Sequence, residues 1–253
     1  MFYFDNIGGK KILKSSVLSE FDTFIKHLFT TKESFIRTKE PELINTAKAN
    51  RELILDYLKI KNENLFEIKQ THSTNIKTWQ KNNGKNTDMA DDTDGVILYK
   101  PGSATILNFA DCTPVVLYDP KTCVAAGLHA GWRGTAGAIS RLGVKIMKEK
   151  FNSKPENIIA VIGPCIGQED FETGLEVYEA LKCTVDKEDG LFQFKNNKVY
   201  PDLAGINARQ LTEEGVKTID ISQFKTYKDN DVLFSYRREN GTTSRISVVL
   251  NLV

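Results

Sequence analysis

Between Ala104 and Leu128 three short apolar runs, Ala104 to Phe109, Val115 to Tyr118 and Val124 to Leu128, follow one another with only a few residues between them. Runs this short, bounded by Gly, Pro or Asp, read as buried strands, whereas a buried helix needs roughly ten residues or more. Reactive side chains sit where these strands stop. Cys112 follows the first run inside Ala110-Asp111-Cys112-Thr113-Pro114, and His129 ends the third just before Gly131-Trp132-Arg133-Gly134. Strand ends beside Gly-rich loops are where a rigid sheet presents a metal ligand or a nucleophile to a cleft. The rest of the chain is left to build the walls of that cleft.

The bulk of the sequence narrows what such a cleft holds. Lys and Arg together number 34 against 33 for Asp and Glu, so a formal charge of +1 over 253 residues leaves no electrostatic footprint for nucleic acid or an acidic membrane. A small molecule, uncharged or singly charged, is the natural partner. No stretch approaches the roughly 18 consecutive apolar residues of a membrane span, and the opening Met1 to Lys10 lacks a basic region followed by an apolar core, which predicts a soluble, cytoplasmic protein. The four cysteines, Cys112, Cys123, Cys165 and Cys183, are too few and too irregularly spaced for a disulfide scaffold and read as free thiols. Without an internal repeat, a low-complexity tract or a linker, residues 1–253 read as a single domain. Nothing in the sequence sets the oligomeric state.

Taken in order, Phe2 to Phe4 suits an edge strand, and Phe21, Ile25 and Leu28 could line a strand or a short helix. His27 reads as a surface or packing histidine, since no ligand or base motif surrounds it. Pro41 to Lys59 predicts a helix with Leu43, Ile44, Ala47, Ile54, Leu55 and Leu58 on one broad face, and Arg51 lies on or beside that face. Leu65 to Ile68 leads into Gln70-Thr71-His72, a strand ending in a polar loop, and Gln80 to Asp92 reads as a surface loop. Residues 135 to 151 predict a helix, with Ile139, Leu142, Ile146 and Met147 at helical spacing and lysines toward its end. At its start, backbone NH groups of Gly131 and Gly134 would approach an oxyanion, and the Arg133 fork can hold phosphate through two bonds. The other reading is a plain turn with Trp132 packed and Arg133 exposed. Ile158 to Ile162 is a buried strand, and Cys165 in the turn after it reads as a small buried thiol. Phe171 to Leu181 and Pro201 to Gly215 look helical, the first with Leu175, Tyr178 and Leu181 inward, and Gln193 to Val199 suits a hairpin. Val232 to Gly241 and Ser244 to Val253 read as strand, turn, strand, with Tyr236, Arg237, Arg238 and Arg245 either binding a substrate or covering a sheet edge.

His72, Cys112 and His129 support two chemistries. Two histidines and a thiolate are three protein ligands, the pattern of a catalytic zinc whose fourth position stays open. The same Cys112 and His129 would serve a metal-free hydrolase or transferase as nucleophile and base. A non-enzymatic binding module uses neither, although polar reactive groups stand at several strand ends.

Five segments together resemble a known family. Gln70-Thr71-His72, Ala110-Asp111-Cys112-Thr113-Pro114, His129-Ala130-Gly131-Trp132-Arg133-Gly134, Ile162-Gly163-Pro164-Cys165-Ile166-Gly167 and Phe234-Ser235-Tyr236-Arg237-Arg238 resemble, in order, the YfiH/YlmD-type family, whose members are variously named polyphenol oxidase, laccase-domain protein and purine nucleoside phosphorylase. The resemblance runs from about Leu28 to the C-terminus. It departs from the family's pattern at Thr31-Lys32-Glu33-Ser34, where Thr-Arg and two glycines are usual, and at Thr243-Ser244-Arg245, where Thr-Gly-Arg is usual.

This resemblance implies a single α/β domain with mixed β-sheets flanked by helices, and a catalytic zinc on His72, Cys112 and His129. It implies phosphorolysis of adenosine, inosine, guanosine and 5′-methylthioadenosine, with inorganic phosphate as co-substrate, and hydrolytic deamination of adenosine. On this reading phosphate sits at the Gly131 to Gly134 turn beside Arg133, while Asp111 either moves a proton or orients the adjacent ligand. Arg51 and the Tyr236 and Arg237 pair are further candidates for substrate contact. Some relatives edit peptidoglycan precursors, which would use the same metal on an amide. Three histidines in the whole chain are too few for a multicopper oxidase; the alternative is copper in the zinc triad, which would give polyphenol oxidase activity.

Overall fold

The structure is a computed structural model that describes residues 1–79 and 89–253. In chain order the strands are β1 (Phe2–Ile7), β2 (Lys10–Ser15), β3 (Ile25–Thr30), β4 (Leu65–Glu67), β5 (Ile76–Thr78), β6 (Gly95–Leu98), β7 (Ala104–Phe109), β8 (Thr113–Asp119), β9 (Val124–Ala130), β10 (Ile159–Ile162), β11 (Phe192–Lys195), β12 (Lys198–Pro201), β13 (Thr218–Ile221) and β14 (Ile246–Leu252). The α-helices are α1 (Ser16–Ser19), α2 (Ile44–Tyr57), α3 (Trp132–Ala136), α4 (Ile139–Phe151), α5 (Leu175–Lys182) and α6 (Leu203–Glu213). The apolar runs Ala104 to Phe109, Val115 to Tyr118 and Val124 to Leu128 are all strands, but they part company. β7 belongs to a sheet ordered β1-β2-β3-β14-β7-β4, and β8 and β9 to a second ordered β13-β10-β8-β9-β6-β5. Both sheets are mixed: β4 lies parallel to β7, and β5 and β13 lie parallel to β6 and β10, in otherwise antiparallel arrays.

The continuous apolar character of β8 and β9 follows from burial on both faces. Val116 and Tyr118 point between the sheets toward Leu107, Phe109 and Leu250, while Val115 and Leu117, on the alternate face, pack under α4 and α6. Ile54 and Leu55 of α2, with Leu58 just after it, cover the outer face of the first sheet over Ile12, Leu28, Ile106 and Val249. Gly127 of β9 shows how closely the sheets approach, because a Cβ built there would lie 2.7 Å from Leu107 Cδ1. The fold is the expected mixed α/β arrangement. Its consequence for function is topological: the chain passes from the first sheet to the second between β4 and β5 and again between β7 and β8, and these two crossings carry His72 and Cys112.

Several local expectations need correction. Val232 to Gly241 is not a strand. Its NH groups close turns, as in Glu239 N–H to Ser235 O at 3.0 Å, and Arg237 N–H donates to the Asp111 side chain at 2.7 Å, so it drapes over a crossing instead of extending a sheet. The helix expected over 135 to 151 is two helices broken at Gly137 and Ala138, the latter at φ 55°. In α5 the inward residues are Val177 and Leu181, and Leu175 is exposed. Of the loop expected over Gln80 to Asp92, residues 80–88 lie outside the described residues. The hairpin over Gln193 to Val199 is present as β11 and β12, turning at Asn196 and Asn197 with positive φ.

Because Gly127 has no room for a side chain, Gly127→Val is expected to lower stability by about 1–3 kcal/mol through overpacking between the sheets. Urea unfolding should show a lower midpoint with an unchanged slope.

Candidate metal centre

Three fixtures bring His72, Cys112 and His129 together. The first is Gln70, whose amide accepts from Asn108 N–H and donates to Asn108 O, both at 2.8 Å, pinning the first crossing to the end of β7. The second is Asp94, fully buried just before β6. Its carboxylate accepts from the NH groups of Thr71, His72 and Ser73 at 3.1, 3.1 and 2.7 Å, and from the Ser73 hydroxyl at 2.8 Å. These bonds hold His72 in the left-handed region at φ 65°, which a non-glycine residue adopts only when its surroundings demand it. Asp94 also takes His129 Nδ1–H at 2.6 Å, and so orients both histidines. The third is Gly131, where a Cβ would lie 2.9 Å from His72 Cδ2 and 3.0 Å from Cys112 Sγ. Only glycine lets the β9 end approach the two ligands this closely.

The donor atoms of the three residues all lie within 4.8 Å of one another, with His72 Nε2 3.7 Å from Cys112 Sγ. A tetrahedral zinc with Zn–S about 2.3 Å and Zn–N about 2.0–2.1 Å would set such a nitrogen and sulfur about 3.5 Å apart. The donor set therefore fits a metal ion. Asp94 on Nδ1 leaves Nε2 of His129 free to ligate, the carboxylate–histidine arrangement that commonly supports metal ligands.

The electrostatics agree. Burial would raise the Asp94 pKa, but bonds from His129, Ser73 and Thr71 outweigh it and hold the carboxyl well below its ordinary value. Burial also opposes ionisation of Cys112, yet the His129 charge and hydrogen bonds from both histidines bring the thiol down to about 6. His129 is raised to about 9, burial being outweighed by Cys112 and Asp94. The thiolate and the imidazolium favour each other's charge, and a metal bound here would displace the imidazolium proton.

The triad faces a cavity of about 740 Å³. Gln70, Asn108, Ile166, Phe171 and Tyr236 wall it, together with the cations Arg37, Lys39, Lys69, Arg237 and Arg245. Asp111 lines it too, but its carboxylate is engaged by the Thr226 hydroxyl at 2.6 Å and Arg237 N–H at 2.7 Å. That makes Asp111 a tie between the second crossing and the Tyr236 to Arg238 turn. Four expected contacts, Arg133, Gly131, Gly134 and Arg51, are not among the residues that line the cavity. Arg133 is exposed, with its guanidinium stacked 4.2 Å over Trp132. Gly134 is buried within α3 against the His129 carbonyl, and Gly131 packs on His72 and Cys112. Arg51 is held away by a bidentate pair with Glu67 at 3.1 and 2.7 Å. Asp94, Arg37 and Lys39 went unseen in the sequence. The one cue to Asp94 is an acid immediately before an apolar strand, and its partners are local only in space.

The sequence model of the multi-copper polyphenol oxidoreductase laccase family matches residues 40–252. The chain belongs to this family. Its relatives include a purine nucleoside phosphorylase of Bacteroides thetaiotaomicron, 31% identical over 79% of this chain and 77% of that one. Another is the purine nucleoside phosphorylase YlmD of Bacillus subtilis, 30% identical over 86% and 85%. A crystal structure of the hypothetical protein YfiH of Bacillus licheniformis superposes with a TM-score of 0.86 at 26% identity, covering 96% of each chain. This chain cannot assemble a multicopper cluster. Of its three histidines, His27 is buried in β3, accepting from Ser15 N–H at 2.9 Å, which leaves two for the centre.

Asp94→Asn should weaken metal binding by about 10–100-fold, the usual effect of losing a ligand's outer partner, in competition titrations with a chelator. In metal-stripped protein, alkylation of Cys112 should rise through a midpoint near pH 6, because the depressed pKa keeps the reactive thiolate populated at lower pH than an ordinary thiol, whose midpoint is about 8.5. Added zinc should suppress the reaction.

Proposed function

We propose that this laccase-family chain is a zinc-dependent purine nucleoside phosphorylase acting on adenosine, inosine, guanosine and 5′-methylthioadenosine, with adenosine deaminase activity. The observation that carries the reading is a three-donor His–Cys–His set facing a cavity whose wall combines aromatic and cationic side chains. Three protein ligands with a fourth position open suit catalysis, where a structural site would close the fourth. The relatives' names supply the substrate class.

Phe171 and Tyr236 offer faces on which a purine can stack, and Ile166 an apolar floor. In phosphorolysis a phosphate oxygen bonds to ribose C1′ as the bond to the purine nitrogen breaks, and the purine departs with a proton. Cationic residues of the wall orient the phosphate and balance its charge. Asp111, bound to Thr226 and Arg237, keeps the Tyr236 turn in place over the cavity. A bound zinc supplies Lewis acidity at the open position. Deamination replaces the adenine C6 amino group with a water oxygen and releases ammonia in the same cavity.

A second reading has a specific observation behind it. Cys112, His129 and Asp94 stand in line, with a depressed thiol pKa, as in a metal-free cysteine hydrolase. One experiment separates the two: purine release from inosine and ammonia release from adenosine, with and without phosphate, on protein whose metals are quantified. The account expects near-stoichiometric zinc and hypoxanthine only when phosphate is present. It expects His129→Ala to lose activity by more than about 100-fold, beyond what loss of an outer partner costs. Equal inertness of wild type and variant toward nucleosides would remove the proposal, and full activity in metal-free protein would favour the hydrolase.

A further inference from the structure

Arg37 and Arg245 face each other across an antiparallel bridge, with Arg245 N–H donating to Arg37 O at 2.9 Å. Residues directly opposite in such a pair have their Cβ atoms about 4.5–5.5 Å apart, and like charges placed there repel. Both side chains line the cavity. Among the described residues neither guanidinium has a carboxylate partner, whereas Arg51 is paired with Glu67 and Arg141 with Glu213 and Glu214. The Arg245 fork is half-buried and donates to the carbonyls of Thr242 and Ser244, which fixes its direction. The Arg37 side chain is exposed toward the cavity and makes no hydrogen bond among the described residues. Lys39, two residues on, adds a further cation to the same wall. Asp111 is the one carboxylate among the described lining residues, and it is occupied by Thr226 and Arg237.

We infer that Arg37 and Arg245 form a phosphoryl-binding subsite in the wall of the metal-centre cavity. A phosphoryl dianion relieves the repulsion between the two guanidiniums, and its several oxygens match two N–H forks where a carboxylate would fill only one. This inference rests on the nucleoside reading for its setting and deepens it by placing the phosphoryl group away from Arg133. The phosphoryl has two sources, inorganic phosphate as co-substrate or the 5′-phosphate of a phosphorylated nucleoside, and both present the same chemistry to the pair.

The test is calorimetric titration of the metal-quantified protein at fixed ionic strength with inorganic phosphate, inosine and inosine 5′-monophosphate. Arg37→Gln is compared with wild type, since its exposed side chain makes no hydrogen bond among the described residues. Lys148→Gln, an exposed position on α4, controls for general charge. Loss of a charge-assisted bidentate contact should weaken phosphoryl binding about tenfold or more in Arg37→Gln and leave Lys148→Gln unchanged. If the effect is seen with inorganic phosphate, and the monophosphate binds no better than inosine, the source is the co-substrate. If the monophosphate outbinds inosine and Arg37→Gln erases that advantage, the source is the substrate's own phosphate. The inference is overturned if neither anion binds wild type, or if Arg37→Gln binds both as wild type does. Anion binding that depends on Arg37, in protein that turns over no nucleoside, would sink the nucleoside reading and leave the subsite standing.

Discussion

The Asp94 carboxylate is fully buried, and a buried charge is tolerated only when its hydrogen bonds are complete. Here they are supplied by the loop of Thr71, His72 and Ser73 on one side and by His129 on the other. The loop cannot shift without stripping the carboxylate, and His129 cannot turn without losing its partner. One side chain therefore fixes two of the three donors, and the energetic penalty of an unpaired buried charge holds them there. Gly131 and Gln70 add steric and backbone constraints, but they act on a geometry that Asp94 has already set.

The two-sheet architecture explains why the donors come from such distant stretches of chain. Strands that change sheets must cross at the sheet ends, and a crossing cannot continue a ladder, so its polar groups need other partners. In this fold two crossings run side by side beyond β4 and β7, and the end of β9 lies between them. The partners that satisfy the crossings, Asp94, Gln70 on Asn108 and Asp111 on Arg237, are the same groups that orient the donors and the cavity wall. The rigidity of the site is thus a by-product of satisfying buried backbone at the places where the sheets exchange strands.

Much of this was legible in the sequence, and unevenly so. The strands β7, β8 and β9 announce themselves because burial on both faces makes their apolar runs continuous, and His72, Cys112 and His129 stand out as reactive residues at strand or loop ends. The pairing that brings them together is not local, so spacing of 40 and 17 residues says nothing about distance. Asp94 looked like one of many acids. Arg133 sits in a turn rich in glycine, which suggested an anion cradle, but both glycines are there for close packing: Gly131 for the ligands and Gly134 for the β9 end. Val232 to Gly241 has strand-like residues, and local turns together with the tertiary hydrogen bond from Arg237 to Asp111 override that preference. The cationic wall was hidden because Arg37 and Arg245 become neighbours only through a single bridge between segments 208 residues apart.

The central claim is that one metal ion is held by two imidazoles and the Cys112 thiolate. X-ray absorption at the metal edge of the purified protein tests it most directly. The account predicts a single sulfur scatterer at about 2.3 Å with nitrogen or oxygen neighbours at about 2.0–2.1 Å, and loss of the sulfur shell in Cys112→Ser. A shell of oxygen and nitrogen alone in the wild-type protein would contradict it.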